Sequence, residues 1–350
     1  MRVLYVARSS GVHDRRFVDA WRAEGADVRA VARDGSVPGQ PQGARLADVV
    51  ARAVAEHRPD VVHAGPVTDV APEVATVWDG PLVATSWGFD LMDDVERDPA
   101  ARERAASVLR RAEVVHVDNA ATAAVARRLG ADESALVQFP WGIELERFGP
   151  GTASLRTRLG WGDRTVVLSS RRHEPLYQVD VVVRAFVEAA GDVPGLRLLL
   201  AGSGSGTEEL LNLVRRAGLA DRVHAAGELG PDDLADAYRS ADLYVSTSGV
   251  DGSSISLLEA MACGTPVCVA DIPGNRQWVT PATGETFPVG DARVLADRLR
   301  ALADPAGADR RAVRARAAAA LVARDADWTV NRAVLRRAAE RAVARRGSAA

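Results

Sequence analysis

The chain is 350 residues long with 47% hydrophobic residues, more than one ordinary domain requires and enough to bury sizeable cores. Its 44 basic and 47 acidic residues leave a net charge of −3, which supplies no field for nucleic acid and excludes that partner. The longest run free of Asp, Glu and Arg is residues 260–270, about half a membrane span, and two cysteines are too few for a disulfide framework or a cysteine-rich zinc site.

Residues 1–8 read as a strand rather than a secretory leader, so a cytoplasmic protein is expected. Short β-rich runs then alternate with Ala/Arg/Leu-rich runs of helical period, the pattern of parallel sheets covered by helices. Strands are expected at 2–6, 27–31, 61–63, 82–84, 114–117 and 136–139, with helices at 15–24, 45–57, 100–111 and 120–129. The breaker cluster Phe148-Gly149-Pro150-Gly151-Thr152 sets the expected boundary between domains 1–150 and 151–325. Beyond it the alternation restarts, with strands at 165–169, 196–201, 223–225, 243–245 and 267–270 and helices near 180–190, 208–217, 231–239 and 256–262. Two such α/β halves are each read as a doubly wound sheet, which binds ligands at the carboxyl ends of its strands, hence in the cleft between the halves. From residue 291 the chain is Ala/Arg-rich and helical. The basic stretch 336–346 reads as a solvated helix face, with weak peripheral contact to an acidic membrane as its alternative partner. All 44 basic residues are arginine, a bias expected of a GC-rich bacterial genome, so every strong cationic contact must come from Arg.

The segment 245–279 carries most of the chemistry. It reads as a strand, a small-residue loop (Val250-Asp251-Gly252-Ser253-Ser254), a helix from about Ile255, a Gly264-Thr265-Pro266 stop and another strand. Ser253 and Ser254 are placed to cap that helix, and a Gly/Ser entry lets a phosphate approach its first backbone N–H groups. Asp251 lies in the loop and Glu259 about one turn inside the helix, so the two carboxylates can bracket a ligand whose phosphates sit at the helix start.

The run Ser256-Leu257-Leu258-Glu259-Ala260-Met261-Ala262-Cys263-Gly264-Thr265-Pro266-Val267 closely resembles the signature of the family 4 glycosyltransferases. The resemblance implies a GT-B fold, an α/β architecture of two Rossmann-like domains facing across a central cleft, with the helix 326–350 crossing back to the first. It further implies a nucleotide-sugar substrate, no metal and no other cofactor. The family spaces two acids as E-x7-E, and here the pair is Asp251 and Glu259, which implies Asp251 on the donor-sugar hydroxyls and Glu259 on the ribose. Gly252, Ser253, Ser254 and Ile255 complete the implied donor loop, although Asp-Gly-Ser-Ser departs from the commoner Glu-Gly-Phe-Gly.

Family members grip the diphosphate with an Arg and, five residues on, a Lys. In Ser170-Arg171-Arg172-His173-Glu174-Pro175-Leu176-Tyr177 the Arg is Arg171 and the Lys is missing, so Arg172 is its expected substitute; guanidinium binds phosphate bidentately and never deprotonates. The resemblance puts the nucleotide base near Glu228 and Leu229, and makes Gly11 the close-approach residue of the first loop. Acceptor-side candidates are His13, Trp87 and His173, with Trp87 standing where the family commonly has His. Ala201-Gly202-Ser203-Gly204-Ser205-Gly206 alone is a weak dinucleotide-loop signal. The expected function is therefore a retaining glycosyltransferase that moves a sugar, from a UDP-sugar by preference, to a small molecule or glycan by front-face substitution. A nucleotide-sugar epimerase on the same fold and a non-catalytic partner subunit are the alternatives.

Overall fold

The computed structural model describes residues 1–347, which divide into two compact units. The first comprises Met1–Pro140 and the residues from Thr329 onward, and the second is Trp141–Trp328. The Gly-Pro-Gly cluster at 149–151 lies inside the second unit.

The first unit is a parallel sheet of β1 (Arg2–Ala7), β2 (Asp27–Ala32), β3 (Val61–Ala64), β4 (Leu82–Thr85), β5 (Val114–Val117) and β6 (Leu136–Gln138), in the order β2-β1-β3-β4-β5-β6. β3, β4 and β5 are buried at every position, as strands covered on both faces must be. Helices α1 (Val12–Ala23), α2 (Leu46–His57), α3 (Pro99–Arg111) and α4 (Ala120–Arg128) provide that cover. The starts of α3 and α4 are written in the sequence: Asp98 accepts from the Ala100 N–H with Pro99 at the first helical position, and Asn119 and Thr122 form a reciprocal capping box. All but the first residue of the terminal helix, Trp328–Gly347, belongs to this unit. Asn331 donates to the Pro140 carbonyl at 2.9 Å, and Arg332 and Arg346 pair with Glu24 at 3.2 Å and Glu113 at 3.0 Å.

The second unit repeats the plan with β7 (Thr165–Ser169), β8 (Leu196–Ala201), β9 (Val223–Gly227), β10 (Leu243–Ser246), β11 (Val267–Ala270) and β12 (Glu285–Phe287), in the order β12-β11-β10-β7-β8-β9 and again parallel. Its covering helices are α5 (Val179–Ala190), α6 (Thr207–Arg216), α7 (Pro231–Arg239), α8 (Ile255–Ala262), α9 (Ala292–Arg300) and α10 (Ala308–Asp325). Side chains alternate strictly: Leu168, Tyr244 and Val269 enter one core, while Val167, Val245 and Cys268 enter the other. Three-residue β12 is too short to show such alternation in the sequence and was not expected there. Cys263 and Cys268 are both buried, and burial pushes each thiol up to about 12. Among the described residues no helix is long and apolar enough to cross a membrane.

Both sheets share a consequential topology. The chain leaves β7 toward β8 and β9 on one side, then returns to β10 on the other, so the loops following β7 and β10 part at a switch point. In the first sheet β1 and β3 stand in that relation. Doubly wound sheets bind ligands at such points, outside the carboxyl ends of the strands.

The first core also encloses titratable groups. His63 accepts from Trp21 Nε1 at 2.9 Å through Nδ1, which leaves its proton on Nε2, 2.7 Å from Thr85 Oγ1. Burial lowers His63 to about 3 and His116 to about 4, while burial raises Asp14 to about 6 against the hydrogen bond from Tyr5. Between pH 6 and 4 the unfolded chain carries protons on both imidazoles that the folded unit largely refuses, which lowers stability, whereas Asp14 and Asp90, both raised by burial, take up protons in the folded unit first and oppose that loss. His116→Asn, which removes one of these imidazoles, should therefore lose less stability than wild type as pH falls from 6 to 4, measured by urea unfolding at successive pH values. Parallel losses in the two proteins would contradict this assignment.

Candidate functional site

At the switch point of the second unit, β7 delivers Ser170 and Arg171, and β10 delivers the loop from Thr247 to Ser254 that enters α8. The two strands pair through Val167–Leu243 and Leu168–Tyr244, so their loops start side by side. Arg171 reaches across: its Nη2 donates to Asp251 Oδ2 at 2.7 Å, and its Nη1 donates to Ser254 Oγ at 2.6 Å and Ser256 Oγ at 2.9 Å. The Tyr177 ring covers the guanidinium, with its centroid 4.3 Å from the central carbon. Arg171 and Asp251 side chains are only 11% and 20% exposed, so this ion pair is largely withdrawn from water. Burial works against the Arg171 charge, but Asp251 together with the neighbouring tyrosines holds the group above its ordinary pKa. Arg171 Nε is buried without a hydrogen-bond partner.

The glycine-rich loop after β8 explains how residues 171–174 are held. A Cβ on Gly202 would lie 2.6 Å from the Arg171 carbonyl oxygen, and one on Gly204 would lie 2.6 Å from that of His173. Only glycine permits so close a backbone approach, and Gly202 also adopts a φ of +139°. The two segments are then laced together: His173 N–H donates to Ser203 O at 2.9 Å, Gly206 N–H to His173 O at 2.8 Å, and Ser205 to Glu174 through both N–H and hydroxyl. The glycines serve packing behind the Arg171 loop.

On the other side, Glu259 lies on α8, 9% exposed, and its Oε2 accepts from Tyr238 OH at 3.0 Å; that hydroxyl is also 2.8 Å from Ser170 Oγ. The loop before α8 departs from the expected capping. Ser254 occupies the cap position without a side-chain cap bond, because its hydroxyl is taken by Arg171; Ser253 Oγ instead accepts from Gln277 Nε2 at 3.0 Å and Trp278 Nε1 at 3.1 Å. Gly274 packs directly on this loop, since a Cβ there would stand 2.2 Å from Gly252 O and 2.4 Å from Asp251 O.

The remaining predicted residues are dispersed. Arg172 is exposed, and Ile255 starts α8 half-buried against the core. His173 is buried with Nδ1 2.9 Å from Thr207 Oγ1 and Nε2 without a partner. Exposed Glu228 accepts from Ser203 Oγ at 2.7 Å, and Leu229 packs on the core. In the first unit, Gly11 precedes α1 in ordinary extended backbone, and an added Cβ would meet nothing closer than 3.4 Å. The rings of His13 and Trp87 meet edge to face at 6.2 Å, and the backbone N–H of Trp87 donates to the buried Asp90 carboxylate at 3.0 Å. Sequence reasoning missed Tyr177 as the cover of Arg171, Ser256 as its partner, Tyr238 on Glu259 and Gly274 beneath Asp251. Of these, Tyr177 and Ser256 lay inside quoted motifs, whereas Tyr238 and Gly274 carry no local signal.

The family model for glycosyl transferases group 1 matches residues 153–319, which covers this entire constellation. The D-inositol 3-phosphate glycosyltransferase of Kineococcus radiotolerans is 38% identical over 210 residues, 54% of this chain and 48% of the relative. Its counterpart from Streptomyces scabiei is 33% identical over 283 residues, 71% of this chain and 62% of the relative. The chain spans about half the length of the curated relatives it matches. Among solved structures, the Anabaena protein HepE in complex with UDP and glucose superposes with a TM-score of 0.81 at 20% identity, covering 96% of this chain and 98% of that one. Sucrose-phosphate synthase from Thermosynechococcus elongatus gives 0.81 at 22% identity, covering 98% and 99%. These likenesses, with two six-stranded parallel sheets, define the GT-B fold. The family match and the curated relatives together support a family 4 glycosyltransferase.

Gly274→Ala should force the Asp251–Gly252 backbone away and cost about 1–3 kcal/mol by overpacking. Gly191→Ala, where an added Cβ meets nothing within 4 Å, is the control and should be neutral or mildly stabilising. Denaturant midpoints of the two variants decide; equal midpoints would remove the close packing as a constraint.

Proposed function

We propose that the protein transfers a sugar from a UDP-sugar to a hydroxyl of a small-molecule or glycan acceptor, with retention of configuration. The observation that carries this reading is the buried Arg171–Asp251 pair, set beside the serines of the α8 start at a topological switch point. HepE, crystallised with UDP and with UDP-glucose, favours UDP, and the name of the curated relatives favours a small cyclic polyol-type acceptor. In this reading the second unit takes the donor and the first takes the acceptor.

Arg171 Nε, exposed Arg172 and the free N–H groups at the start of α8 neutralise the diphosphate. Asp251 accepts from the sugar hydroxyls, and Glu259, oriented by Tyr238, accepts from the ribose. Glu228, Leu229 and their neighbours meet the base; Gly252, Ser253, Ser254 and Ile255 shape the donor loop. Gly11 is assigned to the donor as a close-approach residue, and His13, Trp87 and His173 are the acceptor-side candidates. The acceptor oxygen attacks the anomeric carbon on the face from which the diphosphate leaves. The bond from the anomeric carbon to the phosphate oxygen breaks, and the acceptor proton passes to that oxygen, giving the glycoside and UDP. Positioning and charge stabilisation supply the rate, with arginine and backbone N–H groups doing what a metal does elsewhere.

The test is purified protein with UDP-sugars and a panel of polyol and glycan acceptors, monitored for UDP and glycoside. Acceptor-dependent UDP release that persists in excess EDTA is expected; isomerised donor would replace this reading with an epimerase, and silence with every donor would support a non-catalytic subunit. Arg172→Ala should weaken UDP binding about ten- to one-hundred-fold, corresponding to roughly 1.5–3 kcal/mol for one charged partner of a phosphate. Unchanged binding and turnover would move the second cation to another residue. Glu259→Ala should weaken bare UDP by calorimetry, and unaltered affinity in a folded variant would remove its ribose role.

A further inference from the structure

We propose that the Arg171–Asp251 ion pair makes this site select an intact nucleotide-sugar over the bare nucleoside diphosphate that remains after transfer. The proposal rests on the donor-site reading above and adds a discrimination built into the unliganded geometry.

A guanidinium has five N–H donors. Three of those on Arg171 are committed, to Asp251, Ser254 and Ser256, and Nε is buried without a partner. The cation assigned to the diphosphate is therefore already neutralised by the carboxylate assigned to the sugar. Asp251 in turn has Arg171 as its ion-pair partner at 2.7 Å, in a setting where its side chain is 20% exposed. An arriving diphosphate is a second anion competing for one buried cation.

The outcome of that competition depends on what the ligand brings for Asp251. A bare diphosphate that engages Arg171 leaves a half-buried carboxylate beside phosphate oxygens, with its cation shared and no new donor. Like charges at close range and a carboxylate short of hydrogen bonds both oppose binding. An intact donor carries sugar hydroxyls that donate to the released carboxylate and offset this loss. Before transfer the pair therefore opens around the substrate. Once the sugar has gone, the carboxylate regains Arg171 and displaces the nucleotide. Asp251 acts here as a specificity-determining residue that also hastens product departure.

The experiment titrates UDP into the full chain by calorimetry, comparing wild type with Asp251→Asn, which keeps an acceptor oxygen for Arg171 but removes the competing charge. The expected result is UDP bound roughly tenfold more tightly by Asp251→Asn, about 1.4 kcal/mol. A merely structural role for Asp251 would weaken binding, so a gain cannot come from damage. Asp251→Ser provides the same readout should the Asn variant fail to fold, with thermal melting as the check on both. UDP affinity unchanged or reduced in a folded variant overturns the proposal while leaving the donor site standing. A wild-type protein that binds no UDP at millimolar concentration overturns the donor-site reading itself, and the selection with it.

Discussion

A guanidinium that cannot lose its proton has been taken out of water at the end of β7, and much of the second unit is arranged around that constraint. Burying a charge is tolerable only when it is paired and hydrogen-bonded. Asp251 supplies the charge, Ser254 and Ser256 supply acceptors, and the Tyr177 ring covers the exposed face. Each partner must itself be held. The glycine-rich loop after β8 presses on the carbonyls of residues 171 and 173, and Gly274 presses on those of residues 251 and 252. Residues some eighty positions along the chain thus converge on a single cation.

The first unit offers a milder version of the same device. Arg8 follows β1 and Asp69 follows β3, the two strands at its own switch point, and they pair at 2.7 Å. Their side chains are 47% and 28% exposed, and Asp69 also pairs with Arg33. Exposure makes this pair cheaper to open than its buried counterpart, since solvent can take up either charge. The shared placement follows from topology: parallel strands whose connections diverge leave a crevice that only loop residues can line.

Much of the architecture was legible because burial on both faces produces continuous Val/Ala/Leu runs, and because arginine-rich helices mark the solvent side. β12 was not, since Glu285-Thr286-Phe287 is too brief to carry a period and becomes a strand only by adding to the edge of β11. At the site, Arg171 and Asp251 could be singled out from the family resemblance and Ser254 from its place at the helix entry, and the structure brings those three into contact. The caps were misjudged because a side-chain oxygen can serve only a few donors, and tertiary partners claimed Ser253 and Ser254 first. Tyr238 and Gly274 were invisible for a related reason. A tyrosine hydroxyl that finds Glu259 across two helices, and a glycine required by a carbonyl more than twenty residues away, leave no trace in local pattern.

The two thiols of the chain, Cys263 and Cys268, are both sealed in the second unit and held far from their reactive anionic form. Covalent labelling chemistry therefore starts from a blank surface. A cysteine introduced at any exposed position would be the one reactive thiol, with no native residue to remove first. The absence of lysine extends this to amine-directed reagents, which find no side chain to modify. Distance measurements between paired labels on the two units, with and without nucleotide, can be made on an otherwise unaltered protein.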